Sequence, residues 1–208
     1  MKFVIFVEGH TEKMAIPSFL KRWLDARLKQ PVGIKVVRFE GWRHYESEIA
    51  KKVALNLSGR SGQDVIAGIG FLDLYGPTFY PREKETADDR LQWAKKLLEG
   101  KVGDNRFAQH FAVHELEAWL LAAPAGLPEA VRRELPGRVA EPETVNFDEP
   151  PAKLLERLYR EKIKRRYRKT IDGVNLFAAL EPSLAYATCP HLKSMLDDML
   201  QRARGAGL

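Results

Sequence analysis

The feature that most narrows the fold of this chain is an alternation of apolar strand-like runs with amphipathic helical ones, repeated four times within the first 123 residues. Lys2–Val7 is a continuous β-branched and aromatic run ending at Glu8-Gly9, the pattern of a buried parallel strand and the turn after it. Thr11 stands where it can cap the following helix. That helix has an apolar stripe of Met14, Ile16, Phe19, Leu20, Trp23, Leu24 and Leu28, and Pro31 and Gly33 close it. Ile34–Phe39 predicts a second strand, Tyr45–Leu57 a second helix and Gly59–Gly62 a turn. Asp64–Leu72 predicts a third strand ending at Asp73, and Thr86–Glu99 a third helix with Gly100 just beyond it. Phe107–Val113 then reads as a fourth strand, and Glu115–Ala123 as a helix stopped by Pro124.

Such alternation predicts an α/β fold of the Rossmann-like kind, a mostly parallel sheet of about four strands flanked by helices. Ligands of these sheets bind outside the carboxyl ends of the strands. Ala125–Leu208 differs in kind: rich in Pro and Glu up to Pro151, then helical and basic, then helical again from Pro190 to Ala203. The expected organisation is a core over 1–123 and a helical, basic annex over 124–208 packed on it. The longest apolar runs, Phe3–Val7 and Val65–Leu72, are far shorter than the roughly 18 residues of a membrane span. The N-terminus meets Glu8 after five apolar residues and makes a poor signal peptide. A single cysteine, Cys189, excludes an internal disulfide framework and a cysteine-cluster zinc site. These features make the cytoplasm the expected compartment.

Lys plus Arg number 34 against 28 Asp plus Glu, and the excess is localised. Lys153–Lys169 (KLLERLYREKIKRRYRK) holds nine basic residues against Glu156 and Glu161, and the rest of the chain is close to neutral. Lys153, Arg157, Arg160, Lys164, Arg165, Arg166, Arg168 and Lys169 are therefore candidates for binding substrate phosphates. Arg160, Lys164 and Arg168 recur every four residues and predict one stripe on a continuous helix, the competing reading being a solvated charged face.

Acids fall at the strand ends. Glu8 ends the first strand, Asp73 the third, and Glu115 and Glu117 follow the fourth, with Glu12 one turn into the first helix. In a parallel sheet all these ends share one edge. Carboxylates gathered there raise one another's pKa unless a cation compensates. An all-oxygen set suits Mg²⁺ or Mn²⁺, which can polarise a phosphodiester and activate water. Each acid alone also has a structural reading: Glu8 solvating a turn, Glu12 complementing a helix dipole, Asp73 forming a turn before Gly76-Pro77, Glu115 and Glu117 occupying a first helical turn. Their coincidence at successive strand ends favours the metal site. If the last helix begins by His114, only one of Glu115 and Glu117 faces that site, whereas a persisting strand turns both toward it. Both are retained, Glu115 slightly preferred. His10 after the first turn, and Tyr75 two residues beyond Asp73, are further candidates for substrate contact or plain packing.

Several motifs can be refused. His114-Glu115-Leu116-Glu117-Ala118 has alanine where a zincin needs its second histidine. No G-x-x-x-x-G-K-[ST] loop occurs. Cys189 and His191 read as a packed thiol near a helix cap, and Gly68 and Gly70 as sites of close helix packing.

Taken in order, these segments resemble the DUF4276 family, a TOPRIM-like group related to the nuclease domains of OLD-family proteins. The matching stretches are Val7-Glu8-Gly9-His10-Thr11-Glu12, Asp73-Leu74-Tyr75-Gly76 with Pro81, and His114-Glu115-Leu116-Glu117-Ala118. They continue with Pro142-Glu143-Thr144-Val145-Asn146, Tyr167 with Lys169, and Cys189-Pro190-His191-Leu192. The resemblance implies a TOPRIM fold with a Mg²⁺-binding acidic centre. Glu8 would match the family's glutamate, Asp73 the first acid of its D-x-D element, and Glu12 a second acid near the first strand. Tyr75 stands where the second acid of D-x-D belongs, which implies a replacement by Glu115 or Glu117 if two metals are to be held. Ala152 stands where the family usually has serine. An ABC-type ATPase partner and a role in anti-phage defence are further implications of the resemblance.

Two functions follow as expectations. The first is a Mg²⁺- or Mn²⁺-dependent phosphodiesterase, most simply a nuclease, with Glu8, Asp73 and Glu115 or Glu117 at the metal. The second is a non-catalytic adaptor that binds nucleic acid or an ATPase subunit through the basic segment and carries a degenerate site. A topoisomerase-like or primase-like role has no sequence to support it.

Overall fold

The computed structural model describes residues 1–144 and 149–208. Strands β1 (Lys2–Val7), β2 (Gly33–Arg38), β3 (Val65–Asp73) and β4 (Phe107–Ala112) form one all-parallel sheet in the order β2-β1-β3-β4. The chain leaves β1 toward one edge, then crosses back to build β3 and β4 on the other side. The carboxyl ends of β1 and β3 thus flank the point where the winding reverses, the place where open α/β sheets bind ligands.

The two-residue period of the strands sorts the core into two layers. Phe3, Ile5 and Val7 of β1 join Ala67, Ile69 and Phe71 of β3 on one face. Val4, Phe6 and Leu72 join Phe107 and Phe111 on the other. Helices α2 (Trp42–Leu57) and α4 (Ala87–Val102) cover the second face, and α1 (His10–Asp25) covers the first. The short α3 (Gly59–Gly62) leads into β3. The remaining helices are α5 (Glu117–Leu121), α6 (Glu129–Arg132), α7 (Pro151–Ile163), α8 (Val174–Ala179), α9 (Pro182–Thr188) and α10 (Pro190–Gly205).

The annex completes the α1 layer. Phe19 of α1 stacks on Trp119 with ring centroids 5.5 Å apart, and Phe177 meets both rings edge-on. Arg22 donates to the carbonyls of Phe177 (2.9 Å), Leu180 (2.8 Å) and Ala178, covering the last turn of α8, where free carbonyls carry partial negative charge. Cys189 is buried at the start of α10, the packed thiol expected from the sequence.

Several boundaries differ from the sequence reading. Thr11 does not cap α1: the helix starts at His10 with Gly9 at its cap position, and Thr11 is buried in the first turn. The helix ends at Asp25, well before Pro31, because Asp25 Oδ1 accepts the Val32 N–H at 2.9 Å and folds the connection back. Gly100 does not end α4, which continues to Val102 and stops at Gly103, where φ is +65°. A left-handed residue there costs glycine nothing.

Gly70 of β3 is a close-packing position, as its place inside a strand run suggests. A Cβ there would collide with Gln109 Oε1 and Tyr45 Oη, which are joined by a buried 2.7 Å hydrogen bond. Gly70→Ala is expected to destabilise the fold by about 2 kcal/mol, the cost of overpacking. Thermal unfolding checks this as a Tm lower by roughly 4–8 °C.

Glu143 supplies a cap that no local motif announces. Its carboxylate accepts the N–H groups of His191 (2.8 Å) and Leu192 (3.1 Å) in the first turn of α10. Burial outweighs these bonds and pushes its pKa up to about 7. A carboxyl raised above its unfolded value binds more protons in the native state, so its contribution is present at acid pH and lost as pH rises through about 7. Between pH 5 and pH 8 that loss is expected to be about 2 kcal/mol, discounted for partial exposure. Chemical denaturation of Glu143→Gln over this range should lack that component of the decline. Val145 and Asn146 of the same segment lie outside the described residues. Among the described residues no helix is long and apolar enough to cross a membrane.

Candidate functional site

Five carboxylates meet at the reversal point. Glu8 follows β1, Glu12 sits in the first turn of α1, Asp73 is the last residue of β3, and Glu115 and Glu117 lie in the corner after β4. Residues 113–116 are neither strand nor helix: β4 stops at Ala112, and Glu117 is the first residue of α5. The choice between a strand face and a helix face therefore does not arise, and both glutamates turn toward one cation. Lys169 Nζ lies 3.1 Å from Glu117 Oε2 and 3.8 Å from Glu115 Oε1. The preference for Glu115 is reversed in burial, since Glu117 is only 1% exposed. Glu115 instead spends Oε2 on the Ala152 N–H (2.9 Å) in the first turn of α7, tying the annex to the site.

The electrostatics are those of a crowded anionic cluster. Asp73 keeps part of its surface open, yet protein surrounds the carboxylate so deeply that burial is the largest push raising its pKa. Glu12, Glu117 and Glu115 push the same way and Lys169 opposes them. Asp73 Oδ1 accepts the Leu116 N–H at 3.0 Å, which fixes the corner against β3. Glu8 is raised by burial and then by Glu12, with the Trp42 N–H and Lys169 as counterweights. Glu117 is raised first by burial, which Lys169 opposes, and by Glu115. Lys169 itself is held above the ordinary lysine range because the attraction of Glu117, Asp73 and Glu115 outweighs its burial. A single π-helical turn, Lys169–Gly173, presents it to the cluster.

One lysine does not satisfy five acids. Glu117 Oε2 is buried, and its one cationic neighbour is the Lys169 ammonium at 3.1 Å. An all-oxygen donor set of this kind suits a hard divalent ion such as Mg²⁺ or Mn²⁺. Against this, among the described residues no three Asp, Glu, His or Cys side chains converge closely enough to hold a metal as they stand.

The other candidates fall in different places. His10 is exposed at the first residue of α1. Tyr75 is 47% exposed and uses its backbone N–H on the His114 carbonyl (2.8 Å), so it brings no ligand where a second D-x-D acid would stand. Glu117 enters beside Asp73 from the corner instead. A wall that the sequence analysis missed is aromatic. Trp42, Phe79, Tyr80 and Trp93 are in ring contact, and Tyr80, whose hydroxyl donates to the Leu74 carbonyl (3.1 Å), lies close enough to Glu8 and Asp73 to feel their charge. Its signal was the run Phe79-Tyr80 after Asp73.

The basic segment does not form the expected helical stripe. Helix α7 ends at Ile163, and Lys164 is left-handed (φ 57°), so the four-residue spacing from Arg160 to Lys164 and Arg168 is broken. Arg160 and Arg168 nevertheless meet, with Arg166, around a cavity of about 490 Å³ lined also by Glu156 and Tyr167. Lys164 is not part of that lining. Lys153 is exposed and pairs with Glu156 at 3.5 Å. Lys169, grouped with the phosphate binders in the sequence, belongs to the acid cluster.

A family profile described as "Domain of unknown function (DUF4276)" matches residues 7–200. Among solved structures, the C-terminal region of the Burkholderia pseudomallei OLD protein is similar at 20% identity, covering 96% of this chain and 98% of that one with a TM-score of 0.47. The C-terminal region of the Xanthomonas campestris pv. campestris OLD protein is similar at 18% identity, covering 97% of each chain with a TM-score of 0.42. No curated protein matches the sequence significantly.

Proposed function

The chain belongs to the DUF4276 family, and we propose that it is a divalent-metal-dependent phosphodiesterase acting on nucleic acid. The observation that carries this reading is the deficit of positive charge at the reversal point: Glu8, Asp73, Glu115 and Glu117 share one lysine while Glu12 adds a further negative charge, and burial and mutual repulsion raise the pKa of Asp73 well above the ordinary range. Glu8, Glu12, Asp73, Glu115 and Glu117 are the acids from which Mg²⁺ or Mn²⁺ would draw its ligands, and they would have to close in from where they stand to hold it. When bound, such an ion supplies Lewis-acid polarisation of a phosphoryl oxygen and a more acidic water. The chain's own part is to position these carboxylates on rigid strand ends and to offer the Lys169 ammonium to charge developing on the transferring phosphate. Nucleic acid is the substrate class favoured by the basic segment, whose cations lie next in sequence to Lys169.

A second reading rests on Lys169 itself. An ammonium planted among the carboxylates can neutralise a degenerate site, leaving an adaptor that binds nucleic acid or an ATPase subunit without catalysis. Mg²⁺-supported cleavage of single- and double-stranded DNA and RNA separates the two. Cleavage by the wild-type chain that disappears in Glu8→Ala supports the hydrolase, and nucleic-acid binding without cleavage in either metal supports the adaptor.

A further inference from the structure

The nine basic residues between Lys153 and Lys169 divide by environment. Arg157 grips Glu149 through two bonds (2.6 and 2.9 Å) and reaches Glu161, and Arg165 holds Asp172 at 2.9 Å. Lys153 pairs with Glu156, Lys162 with Glu134 and Lys169 with the acid cluster. These are cations with structural partners. Arg160, Lys164, Arg166 and Arg168 have no ion-pair partner among the described residues, and the three arginines, but not Lys164, line the same 490 Å³ cavity. Three guanidinium groups against the single carboxylate of Glu156 leave this concavity net positive, which favours an entering anion.

We propose that this cavity seats the terminal phosphate of a nucleic-acid strand. The proposal rests on the nucleic-acid reading above and narrows it to strands with a phosphorylated end. An internal phosphodiester carries one charge and two free oxygens, and its strand must leave on both sides. A terminal phosphate carries about −1.5 to −2 at pH 7 and three acceptor oxygens, the better match for a cluster of arginine forks. The volume lies within the range of small-molecule sites and leaves room for the attached sugar. Arg168 and Lys169 are consecutive, so one short stretch of backbone serves both the cavity and the acids.

The test is binding without metal, so that it does not depend on cleavage. In EDTA, fluorescence anisotropy compares internally labelled single strands of one sequence carrying a 5′-phosphate, a 3′-phosphate, or hydroxyls at both ends. One phosphorylated form is expected to bind at least about tenfold more tightly than the hydroxyl form, as loss of charge-assisted bonds implies. Arg166→Ala should erase that difference, and Lys164→Gln, outside the cavity, should preserve it. Equal binding of all three strands, or a preference that Arg166→Ala leaves intact, overturns the terminal-phosphate seat while the nucleic-acid reading stands. Absence of binding to every strand overturns both.

Discussion

Asp73→Asn should lower metal-supported phosphodiester cleavage by at least about 100-fold, more than loss of an outer-shell partner costs a metal site. The substitution is nearly isosteric, and the amide oxygen can still accept the Leu116 N–H that fixes the corner after β4. What it removes is charge at the position where burial and three glutamates already penalise charge. The metal-free variant is therefore expected to be at least as stable as the wild type at neutral pH. The sign follows from proton linkage: a carboxyl with a raised native pKa loses stability as pH climbs from its unfolded value toward the native one, and an amide has no such loss. A less active but no less stable protein is what a functional acid predicts. An acid kept for structure would give the opposite pair of results.

Lys169→Met should behave in reverse. Removing the one ammonium near Glu117, Glu115 and Asp73 leaves their charges uncompensated. For a buried pair this costs about 3–5 kcal/mol, and the lower figure applies because Lys169 is partly open. Differential scanning calorimetry in EDTA should show a Tm lower by roughly 6–12 °C. Millimolar Mg²⁺ should restore more stability to this variant than to the wild type, since a divalent ion then meets the acids without competition from the ammonium. If Mg²⁺ leaves the variant unchanged, the acids are neutralised by Lys169 alone and the adaptor reading gains.

Much of this architecture is legible in the sequence because it is written in local patterns. Apolar runs such as Lys2–Val7 are long enough to mark strands buried on both faces, and the acids directly after them inherit their position from the sheet. The strand order, which makes the ends of β1 and β3 neighbours at the reversal, is a long-range outcome with no local signature. The corner holding Glu115 and Glu117 was illegible for a related reason. Glu115 lies in neither strand nor helix and Glu117 opens the five-residue α5, so no single periodicity could place the two side chains. The basic segment misled because spacing of four implies a stripe only while the helix lasts, and α7 stops at Ile163. Its arginines are sorted by partners distant in sequence or off the helix, such as Glu149 and Asp172. Lys169 is the plainest example: one more cation of a basic run in the sequence, and the counter-charge of the acid cluster in the fold.

The measurement that bears most directly on the acid cluster is an isothermal titration of the metal-free chain with Mn²⁺, repeated on Glu8→Ala and Asp73→Ala. The account predicts saturable binding to the wild type, lost in both variants, and a ligand at 100 times its Kd should stabilise the wild type by about 2.7 kcal/mol. No binding to the wild type, or binding of equal strength in all three proteins, would contradict it.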